Sequence, residues 1–221
     1  MTQEKWTTVD EYLSSLLVPD DKALQNALNT SAEAGLPPIQ VTPVQGKMLH
    51  LLCRSVKARL ILELGTLGAY STIWLARALE TGGRVVTLEA QPLHAKVAWA
   101  NICAAGLDFV VDLRIGRALD TLPVLASEKA GPFDFIFIDA DKVNTAAYFQ
   151  WSLKLSRPGT IIVVDNVVRK GAVADPSSDD PAVQAMQRFF SELAAEGRVS
   201  ATALQMVGAK GYDGFALALV L

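Results

Sequence analysis

The stretch FDFIFIDADK, residues 133 to 142, places five apolar residues in its first six and then ends on Asp139, Asp141 and Lys142. An apolar run of this length, closed by polar residues, reads as a strand buried on both faces. Asp and Lys are rarely buried without partners. Either the strand simply reaches water at Asp139, or its carboxylates hold something.

The same pattern recurs on both sides of this stretch. Short apolar runs alternate with helix-length amphipathic segments: LILEL (60–64), RVVTLE (84–89), FVVDLRI (109–115), FDFIFID (133–139) and TIIVVDN (160–166), each followed by a helical pattern. Five such units predict a parallel sheet covered on both faces. The tail differs. After a helical PAVQAMQRFFSELAAEG, the runs VSATALQMV and FALALVL flank GAKGYDG, and so short a connection requires an antiparallel pair. Before residue 59 three helical patterns precede the sheet. VDEYLSSLL (9–17) carries Val9, Tyr12, Leu13, Leu16 and Leu17 on one face; DKALQNALNTSAEAG (21–35) ends on Gly35 at the left-handed C′ position; TPVQGKMLHLLCRSVKA (42–58) opens with Thr42 as N-cap and Pro43 at N1. The expected fold is α/β: a doubly wound seven-stranded sheet of five parallel strands and a C-terminal antiparallel hairpin, with an N-terminal helical extension. No linker or repeat divides the chain, so residues 1–221 are expected to form one domain, with 1–58 as helical extension and lid and 59–221 as the core.

Bulk properties narrow the function. With 221 residues, 51% of them hydrophobic, and a formal net charge of −3, the chain suits an enzyme with a sizeable core and lacks the basic excess of a general nucleic-acid binder. Cys53 and Cys103 lie far apart in helical patterns, which fits a reducing compartment better than a disulfide framework or a zinc site. No apolar run reaches the ~18 residues of a membrane span, and the N-terminus lacks a signal-peptide pattern. The expectation is a cytoplasmic protein with no membrane and no nucleic-acid partner.

In open α/β sheets ligands bind beyond the carboxyl ends of the strands. Those ends read Glu63-Leu64-Gly65, Glu89, Gly116, Asp139 and Asp165-Asn166, so four of five carry an acid. Single strand ends are often polar because they meet solvent; four acids on the functional edge favour a ligand. The first turn, ELGTLGAYS (63–71), has Gly65 and Gly68 but not the G-x-G-x-x-G fingerprint of a dinucleotide site. Glu89, roughly 20 residues on, stands where ribose hydroxyls are bound. Glu63 would repel a pyrophosphate yet can accept from an amino-acid ammonium, which favours S-adenosylmethionine.

Asp139 ends one strand and Asp165-Asn166 the next. If these strands are neighbours, three hard oxygen donors meet, suited to Mg²⁺ or another divalent cation. The blander reading is that Asp165-Asn166 merely opens a turn. Lys142 can serve as a general base, stabilise a phenolate, or be an ordinary solvated lysine. Three roles are open to Asp141: outer metal ligand, helix N-cap, or partner for the adenosine.

Together ILELGTLGAYS, VVTLEAQP, IGRALDTLP, FDFIFIDADK and GTIIVVDNVV resemble the cation-dependent class I O-methyltransferases, which include catechol and caffeoyl-CoA O-methyltransferases. The likeness runs from about Val41 to KGYDGFALAL, which resembles the microbial branch. It implies a Rossmann-like fold and transfer of a methyl group to one hydroxyl of an ortho-dihydroxy aromatic. It implies that Asp139, Asp165 and Asn166 bind Mg²⁺, that Lys142 is the catalytic lysine, and that Val41, Glu63, Gly65, Thr66, Ser71, Glu89, Ala118, Asp139 and Asp141 form the S-adenosylmethionine site. It also implies a homodimer. One position departs from the pattern: Ala69 stands where the family usually has glycine, an exchange tolerable if its φ is negative.

The lid is expected from the N-terminal helices and the loop VVRKGAVADPSSDDP (167–181), where Arg169 and Lys170 are either contacts for an acidic substrate or ordinary surface charge. Two other classes stay open. An NAD-dependent oxidoreductase lacks its fingerprint here, and a non-catalytic nucleoside-binding module has no use for Asp139, Asp165, Asn166 and Lys142 together. The sequence offers a hydrolase no G-x-S-x-G elbow, and His50 and His94 fall within helical patterns.

Overall fold

A computed structural model describes residues 2–221. Seven strands form one sheet in the order β3-β2-β1-β4-β5-β7-β6. Strands β1 (Leu60–Leu64), β2 (Arg84–Glu89), β3 (Val111–Ile115), β4 (Phe133–Ile138) and β5 (Ser156–Asp165) are parallel, and β7 (Gly211–Val220) runs antiparallel between β5 and β6 (Val199–Gly208). The order reverses direction between β1 and β4, which is the switch point where such sheets open a crevice.

Side chains alternate across a strand with period two, and both faces are covered. On one face Leu62, Leu64, Ile136, Ile138, Ile162 and Val164 pack under α6 (Ala118–Ser127), α7 (Thr145–Lys154) and α8 (Pro181–Ala195). On the other, Ile61, Val85, Phe135, Phe137 and Val163 pack under α2 (Lys22–Glu33), α3 (Pro43–Ser55), α4 (Tyr70–Ala76) and α5 (Pro92–Ala104). Period two then assigns Glu63, Glu89, Asp139 and Asp165 to this second face. The acids follow Ile61, Val85, Phe137 and Val163 by two or four residues.

Most boundaries fall where the sequence pattern put them, and the exceptions have local causes. Helix α1 begins at Gln3, six residues ahead of the predicted start, and carries no buried residue. Strand β3 begins at Val111, two residues after the predicted start, because the amides of Val110 and Val111 both turn back to the Leu107 carbonyl and Phe109 stays 79% exposed. Strand β5 begins earlier, at Ser156, which pairs with Phe133 across a register irregularity. The caps at Thr42 and Gly35 are as read, and Asp21 adds one that was not. Asp21 accepts from the amides of Ala23 and Leu24, Thr42 accepts from Gln45, and Gly35 adopts φ 73°.

Candidate active site

A cavity of about 750 Å³ opens at the carboxyl edge of the parallel strands. That volume is typical of a small-molecule site. Its walls come from the turns after β1, β2, β3 and β4, from the segment after β5, and from Ile39, Gln40 and Val41 ahead of α3. Of the residues predicted from sequence, Val41, Gly65, Thr66, Ser71, Glu89, Ala118, Asp139, Asp141, Lys142 and Asn166 line it. Glu63 and Asp165 lie behind the wall.

The first turn is shaped by two glycines of different kinds. Gly65 has φ 99°, and a Cβ there would stand 2.2 Å from the Asp139 carbonyl, so glycine lets the β1 and β4 ends approach. Gly68 is needed for space: a Cβ would meet Ser31 Oγ at 2.0 Å. Ala69 is different again. Its φ is +67°, contrary to the negative value that would make alanine easy there, so a fully buried methyl group sits in the left-handed region.

Glu63 is fully buried, and its carboxylate is occupied by three hydroxyls: Ser71 at 2.6 Å, Thr72 at 2.5 Å and Thr87 at 2.7 Å. Thr87 also bonds Thr66 at 2.6 Å. Burial pushes Glu63 up to about 7, the hydroxyls pull it back, and the Asp139 charge adds to the rise. Glu63 thus orders Ser71 directly and Thr66 through Thr87, and both line the cavity. Glu89, in contrast, reaches the cavity. Its two oxygens accept from the amides of Leu67 and Gln91, each at 2.8 Å, with His94 Nδ1 3.5 Å away. Each carboxylate oxygen has two lone pairs, so acceptor capacity for a diol remains.

Neighbouring strands β4 and β5 bring Asp139, Asp165 and Asn166 together, as the Ile138–Val164 pairing requires. Lys142 Nζ lies 2.9 Å from Asp139 Oδ1. Asp165 is 4% exposed and is raised to about 7 by burial, then by the negative charge of Asp139. Asn166 takes φ 58° and donates its amide to Asp165 Oδ1 at 2.8 Å. Among the described residues no three His, Cys, Asp or Glu cluster as a metal site; the candidate donors here are two carboxylates and one amide. That set still fits a hard divalent cation. Two acids at adjacent strand ends repel, one is buried, and their electrostatics favour positive charge between them.

Asp141 stands at the start of a 3-10 turn (Lys142–Asn144) without capping it. Its carboxylate instead accepts from Asn144 Nδ2 at 2.6 Å and from the Tyr148 hydroxyl, which joins it to the cavity wall. Burial and the Asp141 carboxylate together raise Tyr148 well above the ordinary phenol range.

Several site residues escaped sequence reasoning. Gln45, in the first turn of α3, donates to Asp165 Oδ2 at 2.8 Å. Lys210, in the β6–β7 turn, donates to the Pro38 carbonyl at 3.0 Å and also to that of Gln40, holding the segment that walls the cavity. Asp213 accepts from the amides of Val168 and Arg169 at 2.9 and 3.0 Å, fixing the turn after β5. The only sequence signal for the last two was KGYDG, read as part of the hairpin connection; Gly211 to Gly214 instead belong to β7.

Comparison with known proteins gives a consistent picture. A family described as O-methyltransferase matches residues 14–219. A catechol O-methyltransferase of Niastella koreensis is 56% identical, with 100% of each chain covered. A catechol O-methyltransferase of Mycobacterium tuberculosis is 53% identical over 96% of this chain and 94% of its own. The crystal structure of an O-methyltransferase from Bacillus cereus in complex with SAH superposes with a TM-score of 0.98 at 58% identity, again covering 100% of both chains.

Proposed function

This chain belongs to the O-methyltransferase family, and from that premise we propose that it transfers the methyl group of S-adenosylmethionine to one hydroxyl of a small ortho-dihydroxy aromatic, with Mg²⁺ or another divalent cation held by Asp139, Asp165 and Asn166. The observation that carries this reading is the division of one cavity between two chemistries. Glu89 at the end of β2 and Asn166 just after β5 both line it, three strand spacings apart, roughly 14 Å, which leaves room for a nucleoside and an acceptor at separate ends.

The donor supplies an electrophilic methyl carbon on a sulfonium, and the cation supplies a Lewis acid that favours ionisation of a vicinal diol. The chain's own residues do the rest. Glu89 accepts from the ribose hydroxyls, while Gly65, Thr66, Ser71, Val41 and Ala118 shape the remainder of the donor pocket. Glu63 holds Ser71 and Thr66 in place from beneath. Lys142 works on the acceptor proton: as the amine it takes it, as the ammonium it holds the oxyanion. Asp141, fastened by Tyr148 and Asn144, faces the donor side. The wall itself orients the acceptor oxygen toward the methyl group, and such alignment is a large part of the rate.

Helices within residues 1–58 act with the core as one domain and lid, a reading supported by the Gln45–Asp165 and Asp21–Arg77 contacts. A homodimer is supported by the apolar residues Tyr12, Leu13, Leu16 and Leu17 of α1, all exposed in the single chain. Among the described residues no helix is long and apolar enough to cross a membrane. An NAD-dependent oxidoreductase or a regulatory nucleoside-binding module is not favoured by the family match.

The deciding experiment is methyl transfer from S-adenosylmethionine to a panel of catechols, with and without chelator. Activity is expected to vanish in excess chelator and return with Mg²⁺. Full activity in chelator would remove the cation from the reading, and absence of turnover on every vicinal diol would remove the acceptor class.

A further inference from the structure

The charges in the cavity wall are not evenly matched. Each acid there has partners: Glu89 has two amides and His94, Asp139 has Lys142, and Asp141 has Tyr148 and Asn144. Among the cations, Lys142 is paired and Arg117 is exposed to water. Arg169 is neither. It lines the cavity beside Asn166, is half-buried, and forms no ion pair with any described residue. Its Nε is sealed from solvent without a hydrogen-bond acceptor. That atom is closed to the cavity as well, so the terminal nitrogens, which bond no described residue, are the donors a ligand would meet.

The backbone keeps Arg169 in that position. Asn166, Arg169 and Lys170 adopt φ values of 58°, 55° and 57°, a conformation that non-glycine residues rarely take. Asp213 holds the turn by accepting from the amides of Val168, Arg169 and Gly214. Strain of this kind persists only where surrounding structure enforces it, and it clusters at ligand clamps. The hairpin carboxylate takes all three amides on Oδ1 and makes no ion pair with Arg169, so the guanidinium remains free for a ligand.

Resting on the acceptor reading above, we propose that Arg169 recognises a carboxylate on the acceptor, so that the preferred substrate is an ortho-dihydroxy aromatic acid. A guanidinium presents two parallel N–H donors that match the two oxygens of a carboxylate. A dianionic group such as a phosphate fits less well, because Glu89, Asp139 and Asp141 share the cavity. Arg169 is thus a specificity-determining residue. It sets which diol is held, while Lys142 and the strand-end oxygens act on the hydroxyls.

The test is calorimetric binding of 3,4-dihydroxybenzoate and of its methyl ester, in the presence of SAH and Mg²⁺, followed by methyl transfer to each. The wild-type protein is expected to bind the acid about tenfold more tightly than the ester, the scale of one charge-assisted hydrogen-bond pair. R169Q is expected to bind both alike, R169K to keep part of the preference, and K170Q, altering the exposed neighbour, to behave as wild type. Equal affinities in the wild type, or a preference that survives R169Q, would overturn the assignment. If R169Q abolishes the preference but neither ligand is methylated, the carboxylate site stands and the acceptor reading falls. If neither ligand binds, both fall.

Discussion

Gln45 Nε2 donates to Asp165 Oδ2 across 2.8 Å, tying the first turn of α3 to the carboxyl end of β5. The N-terminal helices therefore do more than cover the sheet: one of them orients a carboxylate on the functional edge. A buried acid beside another acid needs such a neutral donor, since its own backbone partner, the Asn166 amide, serves only Oδ1.

Removing that donor should loosen the proposed cation site without dismantling the fold. For Gln45→Ala we expect Mg²⁺ affinity to fall by about 10- to 100-fold, the usual effect of losing a partner behind a metal ligand. Donor binding should be little changed. The check is the Mg²⁺ concentration needed for half-maximal methyl transfer, with S-adenosylmethionine affinity measured alongside. An unchanged Mg²⁺ requirement would leave Gln45 as a packing residue.

Ala69 holds a left-handed backbone that costs an L-residue roughly 1–2 kcal/mol. Ala69→Gly removes that strain but gives the unfolded chain more freedom, worth about 0.4–1 kcal/mol. The net expectation is a gain of up to about 1.6 kcal/mol, read as a higher Tm, with S-adenosylmethionine binding equal or tighter. The neighbouring Gly68→Ala should do the reverse, because its methyl group collides with Ser31. A fall in Tm for Ala69→Gly would contradict the strain argument.

Glu63 makes stability depend on pH in an unusual direction. Burial raises its carboxyl from 4.5 to about 7 in the folded protein. Between those values the folded chain keeps a proton that the unfolded chain releases, so this contribution is full below about 4.5 and is lost as pH rises through 7. Glu63→Gln has no such proton. Its urea midpoint should vary less between pH 5 and 8 than that of the wild type; parallel curves would show that Glu63 does not titrate in this window.

Asp134 acts at the opposite edge of the sheet and with the opposite sign. Burial alone would raise its carboxyl, but the amides of Arg59 and Leu60 and the Arg157 guanidinium outweigh it and hold it below its ordinary value. That contribution is present above 3.8 and is lost as pH falls through the lower folded value. Asp134→Ala leaves the amides of Arg59 and Leu60 without their acceptor and should cost about 2–4 kcal/mol. Because the amino edge is remote from the cavity, kcat/KM at low temperature should stay near wild type. A large loss of kcat/KM in correctly folded protein would refute this separation.

What could be read from the chain follows a physical divide. Periodicity is local, so strands β1 and β2 were readable to the residue, and the acids at the strand ends followed from position alone. The functional edge was legible because a run such as FDFIFID has to stop being apolar where it leaves the core. Contacts between distant segments left no such trace. Gln45 looks like any polar residue on an amphipathic helix, and only the packing of α3 against the sheet brings it to Asp165, 120 positions away. Asp134, the one polar residue in FDFIFI, carries no mark of its partners; it is the clamp for the start of β1. Glu63 shows the remaining gap. Sequence put an acid at the turn, while only side-chain packing reveals that three hydroxyls enclose it. The sign of φ at Ala69 was equally hidden, because it is set by the whole turn from Gly65 onward.

The sheet order carries a consequence for how the protein is made. Strand β7 lies between β5 and β6, so during synthesis β5 emerges more than forty residues before the strand that borders it. Until residues 211–220 leave the ribosome, β5 has an open edge, and the turn bearing Asn166 and Arg169 lacks the Asp213 carboxylate that holds it. The parallel half can assemble as it appears, but the end of the cavity beside Asn166 and Arg169 takes its shape last. A nascent chain halted before the hairpin would carry the walls from β1 to β4 and an unfinished segment after β5, with an exposed strand prone to pairing with the wrong partner.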